Sequence, residues 1–324
     1  MSHITRIKRN TASILVNISL LLLLLIPSNA MVISNTILDK TTIAYGQTNQ
    51  MNSNLTTPVV PENIPLKRVH VGDIDIAYKT FGKGKPLLLI AGSGATMDMW
   101  DPTVLKQLSV NHTVIIFDNR GKGQTSTGII KNMTMSQFAN DTAGLIDALG
   151  IQKPIDVLGV SLGGFIAQEL ALLHPEKVDR LIIYSSDCTG KIATPPIGRA
   201  ATPVDQERIV ANMIFPQQWR KEHPNYLSYM PFVPVPSPKA VQLEAQALGS
   251  WKGTCDRLSN LGKPTLVIVG TDDIVIPPAY SLPLAEKIPG AWLVQIKGGG
   301  HGLMYQYPDI FNKVLQAFLS TTTG

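Results

Sequence analysis

Compact runs of β-branched and aliphatic residues recur along most of the chain, and helix-patterned stretches separate them. Leu87 to Ile90, Val114 to Phe117, Ile155 to Leu158, Leu181 to Tyr184, Thr265 to Val269 and Trp292 to Ile296 are such runs. Short apolar runs without polar alternation suit strands covered on both faces, and such strands belong to parallel sheets whose crossovers are helices. Ahead of them, Val69 to Val71 and Ile74 to Thr80 alternate around Gly72-Asp73, which predicts a hairpin. An antiparallel opening followed by strand-helix repeats gives an α/β fold: a mixed, mainly parallel sheet with helices on both sides. The length agrees, since 324 residues with 44% hydrophobic content can enclose one large core, and disorder of the bulk is excluded.

The helices carry their own punctuation. Thr134 and Gln137 have capping-box spacing, Phe138, Leu145 and Leu149 share a face, and Gly150 supplies the stop. Phe311, Val314, Leu315, Phe318 and Leu319 stripe the last helix. The alternation breaks between Asp187 and Asn260, where repeated prolines, from Pro195-Pro196 to Pro238, leave room only for short helices. A structureless loop of that length is uncommon inside a compact domain, so residues 187–260 read as a helical lid inserted over the carboxyl edge of the sheet.

Arg6, Lys8 and Arg9 precede the apolar run Ile14 to Ile26, and Pro27, Ser28, Asn29 and Ala30 follow it. That order of charge, apolar stretch and small residues marks residues 1–30 as a secretory signal peptide cleaved after Ala30, or else as an uncleaved membrane anchor. Either reading exports the body, as a secreted protein or one held on the outer side of the cell membrane. Residues 31–63 are rich in Thr, Asn, Gln and Ser without a period of 2 or 3.6, and read as a polar leader or tether. The folded domain then occupies residues 64–324. Sequons at Asn54, Asn111, Asn132 and Asn140 matter only where the host glycosylates exported proteins.

The net charge is +5, and three of those charges belong to Arg6, Lys8 and Arg9, leaving +2 for the rest; a nucleic-acid partner is not expected. Cys188 and Cys255 are the two cysteines, without the paired spacing of a zinc site. Cys188 follows a strand end, at the carboxyl edge, and Cys255 comes shortly before a strand start. Opposite edges of a parallel sheet are farther apart than a disulfide can bridge, so two free thiols are expected.

Gly159-Val160-Ser161-Leu162-Gly163 follows the strand Ile155 to Leu158 and opens a helix over Phe165 to Leu173. Strand, tight turn and helix are the setting of a nucleophile elbow, in which glycines permit backbone to crowd backbone and a strained serine stands exposed. A serine hydroxyl needs an imidazole base, and the base needs a carboxylate to fix its tautomer. Both follow in order: Asp273 after the strand Thr265 to Val269, with Asp272 as an adjacent rival, and His301 within Gly298-Gly299-Gly300-His301-Gly302. The developing oxyanion needs two backbone N–H donors, assigned by position to Leu162 and to Ser93 in the loop Ala91-Gly92-Ser93-Gly94-Ala95.

From about Val69 onward the chain resembles the α/β-hydrolases, and within them the non-haem haloperoxidase, perhydrolase and small-esterase branch. The similar stretches are Asp98-Met99-Trp100, Phe117 to Gly123, Gly159 to Gly164, Gly270-Thr271-Asp272-Asp273 and His301-Gly302-Leu303. Ala91 stands where the family usually has His, and Leu162 where haloperoxidase-like members often carry Met. The resemblance implies an α/β-hydrolase fold with an inserted lid and no metal, haem or other cofactor. It also implies a serine hydrolase acting on a small or medium apolar acyl ester, thioester or lactone, with peracid formation as a side activity. Met97, Trp100 and Met304 are candidates to line an adaptable apolar pocket. The alternatives are a proline-iminopeptidase-like enzyme, for which Asp205, Glu207, Glu222 or Glu244 would hold the substrate amine, a C–C bond hydrolase, and a non-catalytic receptor on the same fold.

Overall fold

The computed structural model describes residues 41–44, 64–190, 203–230 and 237–321. The signal or anchor segment 1–30, most of the leader and the sequon at Asn54 lie outside the described residues. In chain order the elements are β1 (Thr41–Ala44), β2 (Lys67–Val71), β3 (Ile74–Gly82), β4 (Lys85–Ile90), α1 (Pro102–Leu108), β5 (His112–Phe117), α2 (Met135–Ala148), β6 (Ile155–Val160), α3 (Leu162–Leu173) and β7 (Val178–Tyr184). An insertion then supplies α4 (Pro203–Ile214), α5 (Gln217–Glu222) and α6 (Pro238–Ser250). The fold closes with β8 (Thr265–Gly270), α7 (Pro278–Lys287), β9 (Trp292–Ile296), α8 (Leu303–Gln306) and α9 (Pro308–Leu319).

The strands form one sheet in the order β1-β9-β8-β7-β6-β4-β5-β3-β2. β3 pairs antiparallel with both β2 and β5, and every pairing from β5 to β1 is parallel. The predicted hairpin turns at Gly72, whose φ of 59° lies in the left-handed region. β6 and β8 are buried at every position, as expected of strands with helices on both faces. One apolar cluster, with Phe138, Phe165 and Ile166, lies between the sheet and α2, α3 and α7; a second, with Trp100, Phe311 and Phe318, lies between the sheet and α1 and α9.

From β4 the chain moves outward to β5 and then returns to β6 on the other side of β4. The loops leaving β4 and β6 therefore diverge at the carboxyl edge and open a crevice, the place where ligands bind in doubly wound sheets.

Three expectations are corrected. Thr41–Ala44, inside the segment expected to be an unstructured leader, pairs parallel with β9 and extends the sheet edge; four residues form ladder bonds with β9 without any periodicity to announce it. The capping box of α2 is half made. Thr134 Oγ1 accepts from Gln137 N at 3.1 Å, but the Gln137 amide donates to Asp141 Oδ1 at 2.9 Å, a charged acceptor one turn on, instead of returning to the cap.

The third correction concerns the cysteines, which form a disulfide with the two Cα atoms 4.9 Å apart. Placing Cys255 near the opposite edge neglected the length of chain that follows it. The segment from Cys255 to Thr265 is long enough to travel the depth of the sheet, about 20 Å for an ordinary strand. The insertion thus returns beside the point where it left: Thr254 N and Cys255 N both donate to Cys188 O, at 2.8 and 3.2 Å. Gly253, with φ 79°, makes this crossing, and a Cβ there would stand 2.2 Å from Cys188 O. The bond staples the two stems of the insertion across a sequence separation of 67. Denatured, unreduced protein is expected to show no titratable thiol, and Cys188→Ser/Cys255→Ser to lose up to ~4 kcal/mol of stability in chemical denaturation.

Candidate active site

Ser161 is the N-cap of α3 and has φ 53°, one of two non-glycine residues in the left-handed region among the described residues. Such strain, of order 1–3 kcal/mol, persists only where the surroundings hold it. A Cβ on Gly159 would lie 2.1 Å from Gly163 O, one on Gly163 2.1 Å from Ile90 O, and one on Gly164 2.5 Å from the Ser186 side chain. Gly159 and Gly163 are thus required by close approach of backbone to backbone, and Gly164 by the Ser186 side chain. Ser161 N donates to Tyr184 O at 3.0 Å, and Ser186 Oγ donates to Ser161 O at 2.9 Å, tying the turn to the end of β7. The Leu162 N–H opens α3 and has no acceptor among the described residues.

The loop after β4 runs beside this serine, because a Cβ on Gly92 would stand 3.5 Å from Ser161 Cβ. Asn119 Nδ2 donates to Ala91 O at 3.3 Å. The Ser93 hydroxyl donates to Glu244 Oε2 at 2.8 Å and Gly94 N donates to the same oxygen at 3.1 Å. The Ser93 N–H has no acceptor among the described residues. Asp118, at the end of β5, holds the neighbouring turns: its two oxygens accept from Met97 N at 2.7 Å and from Gln124 N at 2.8 Å.

Asp273 and His301 meet. His301 Nδ1 lies 2.9 Å from Asp273 Oδ2, while Asp273 Oδ1 accepts from Val275 N and Ile276 N, each at 2.9 Å. The Asp273 side chain is fully buried, so the carboxylate is fixed by three partners away from water. Asp272 is exposed and accepts from the Thr271 hydroxyl at 2.8 Å, which separates it from the imidazole. A Cβ on Gly270 would lie 2.1 Å from Gly299 O, so the Asp and His loops need glycine where they cross.

β9 is three strands from β6, roughly 14 Å at ordinary strand spacing, so the histidine loop has to fold back over the sheet edge. Tyr184 draws it back. Its hydroxyl donates to His301 O at 2.5 Å and accepts from Met304 N at 3.3 Å, while its own carbonyl receives Ser161 N. Complete burial pushes the phenol well above its usual range, so it stays a donor at all working pH values. No hydrogen bond joins Ser161 Oγ to His301 Nε2; the ring nitrogen facing away from Asp273 is without a partner among the described residues.

Met97, Trp100 and Met304 are buried in the apolar cluster beneath α1 and α9, none more than 2% exposed. Met97 also lines a cavity of about 560 Å³ with Thr96, Asp118, Lys122 and Ser237. Sequence reasoning missed Tyr184; the available signal was a tyrosine ending an otherwise aliphatic buried strand, because a buried phenol has to find a partner. It also missed Lys122, whose side chain is 2% exposed. Among the described residues no cluster of His, Cys, Asp and Glu is arranged to hold a metal ion, and no helix is long and apolar enough to cross a membrane.

The arrangement matches known proteins. A family model for the alpha/beta hydrolase fold matches residues 85–222. An Azorhizobium caulinodans protein named "Putative carbamate hydrolase RutD" is 30% identical over 264 residues, covering 77% of this chain and 96% of that protein. A Mycobacterium tuberculosis protein named "Putative non-heme bromoperoxidase BpoC" is 27% identical, covering 76% of this chain and 98% of its own length. The structure of a thermophilic esterase from Thermogutta terrifontis superposes with a TM-score of 0.69 at 25% identity, covering 79% of this chain and 98% of that one. The chain belongs to the alpha/beta hydrolase family.

Tyr184→Phe leaves the His301 carbonyl and the Met304 amide without their shared partner. It is expected to cost about 1–3 kcal/mol in denaturant unfolding, more than a tyrosine hydroxyl on the surface would.

Proposed function

We propose that this hydrolase is a serine esterase that works through an acyl-serine intermediate on a small or medium apolar acyl ester, thioester or lactone. Ser161 attacks, His301 Nε2 takes and returns the proton, and Asp273 holds the imidazole in the tautomer that leaves Nε2 basic. The N–H groups of Leu162 and Ser93 receive the oxyanion, and the dipole of α3 adds to the first of them. The observation that carries this reading is the His301–Asp273 pair at 2.9 Å, its carboxylate locked by two backbone amides, on the same sheet edge as a left-handed serine at a helix N-terminus. The names of the similar proteins, an esterase and a carbamate hydrolase, are in keeping with acyl transfer.

The iminopeptidase alternative loses one of its candidate amine acceptors, because Glu244 is already engaged by Ser93, Gly94 and Lys122. Export is the compartment we infer. A disulfide that persists needs an oxidising environment, and Cys188–Cys255, with Cys188 buried and Cys255 half-buried, closes the base of the lid. The body would therefore work as a secreted protein or one held at the outer face of the membrane by its N-terminus.

Residues 31–324 assayed against p-nitrophenyl esters of graded chain length should give a profile with a clear maximum. Ser161→Ala should abolish both turnover and fluorophosphonate labelling with the fold intact; labelling that survives would assign the nucleophile elsewhere. Asp273→Asn should lower kcat by several orders of magnitude, whereas Asp272→Asn should change it by less than about threefold, since only the paired carboxylate sets the tautomer. The opposite ranking would transfer the acid to Asp272.

A further inference from the structure

Glu244 lies on α6, in the insertion, 151 residues beyond Ser93, yet its side chain is almost wholly buried against the loop after β4. One carboxylate oxygen accepts both the Ser93 hydroxyl, at 2.8 Å, and the Gly94 N–H, at 3.1 Å. The other forms an ion pair at 2.8 Å with Lys122, whose side chain is 2% exposed and whose ammonium has no second partner among the described residues. Lys122 belongs to the turn after β5, so the pair joins three separate segments of chain. α6 is seated on that turn by packing as well: a Cβ on Gly121 would touch Leu243 Cδ1 at 3.2 Å and Ala240 Cα at 3.9 Å.

We propose that Glu244, charge-compensated by Lys122, is a positioning residue that sets the Ser93 amide for the oxyanion and so makes the oxyanion hole depend on the docked lid. The inference rests on the esterase reading. Oxyanion donors act through preorganisation, and a loop of Ala, Gly, Ser, Gly and Ala has little side-chain packing to hold it still. Glu244 supplies what the loop lacks. It engages the hydroxyl of Ser93 and the amide of Gly94 from the insertion side, while Ala95 N turns back to Gly92 O at 3.3 Å. The Ser93 N–H is left without an acceptor among the described residues, and its neighbour Gly92 lies against Ser161. Lys122 has a definite task in this scheme. Its ammonium, 2.8 Å from the second carboxylate oxygen, offsets the cost of burying the Glu244 charge against the loop.

Removing one partner alone strands a buried charge and endangers folding, so the test uses paired substitutions. Lys122→Met/Glu244→Gln removes both charges and keeps an amide oxygen able to accept from Ser93 and Gly94. Lys122→Met/Glu244→Leu removes the charges and the acceptor together. With a p-nitrophenyl ester, the Leu variant should lose about 10²-fold in kcat with KM changed less than about threefold, the pattern of a lost transition-state donor. The Gln variant should recover most of that loss. Affinity for a trifluoromethyl ketone, which forms a tetrahedral oxyanion on the serine, should fall in parallel with kcat/KM. Melting temperatures of the two variants should agree within a few degrees, which separates positioning from general stability. Equal kcat in the two variants, or a loss confined to KM, would overturn the proposal. Ser161→Ala run alongside keeps the two ideas apart: if it abolishes turnover while the paired variants match each other, the esterase reading stands and only the role of Glu244 falls.

Discussion

Backbone lies against backbone where the end of β4 meets the turn from β6 into α3, and most of the structure is arranged around that contact. Gly163 is in reach of the Ile90 carbonyl and Gly159 in reach of the Gly163 carbonyl, at distances that leave no room for a Cβ. This approach forces Ser161 to φ 53° and points α3 back under the sheet edge. The same approach brings the loop after β4 beside the serine, so Ser161 and that loop are set together by one packing event. The topology places that event at the switch point between β4 and β6, where the sheet itself opens a crevice.

The remaining parts are brought in by long-range ties. Tyr184 binds both ends of the problem, its carbonyl receiving the Ser161 amide and its hydroxyl holding the His301 carbonyl. Two hydrogen-bonded contacts among the described residues join the insertion to the site. Ile214 O accepts from Gly302 N at 2.9 Å beside the histidine, and Glu244 holds the loop after β4. The disulfide at the stems keeps these two contacts in register with the sheet, because the insertion cannot swing out without carrying Cys188 and Cys255 together. A lid fastened in this way makes the geometry of the site a property of the disulfide-bonded chain.

Several buried charges near the site tie neighbouring segments of chain together. Arg120 is paired with Asp73 and Asp141, each at 2.7 Å, which binds the turn after β5 to the hairpin and to α2. Asp118 shapes the two turns that flank the loop after β4. Lys122 pairs with Glu244 at 2.8 Å. The stretch from Asp118 to Gly123 is thus a frame for the neighbouring loops.

The sequence by itself determined the elements and the order of the chemical groups. Apolar runs such as Ile155 to Leu158 and Thr265 to Val269 announced buried parallel strands, because period and length are local properties. The G-x-S-x-G turn and the loops holding Asp273 and His301 were legible for the same reason, each being a short stretch set after a recognisable strand. What crosses the fold was decided only by the tertiary structure. The sequence ranked Asp273 ahead of its neighbour Asp272, but only the tertiary structure shows that Asp273 is the buried carboxylate paired with His301 while Asp272 is exposed. The disulfide was misread because a strand edge was inferred for Cys255 while the return path of the insertion was unknown. Tyr184 and Glu244 carried no motif, and the parts of these two and of Lys122 follow from hydrogen bonds and ion pairs between residues tens to more than a hundred positions apart. Thr41–Ala44 pairs with a strand some 250 residues away, and no local pattern in four residues can specify so distant a partner.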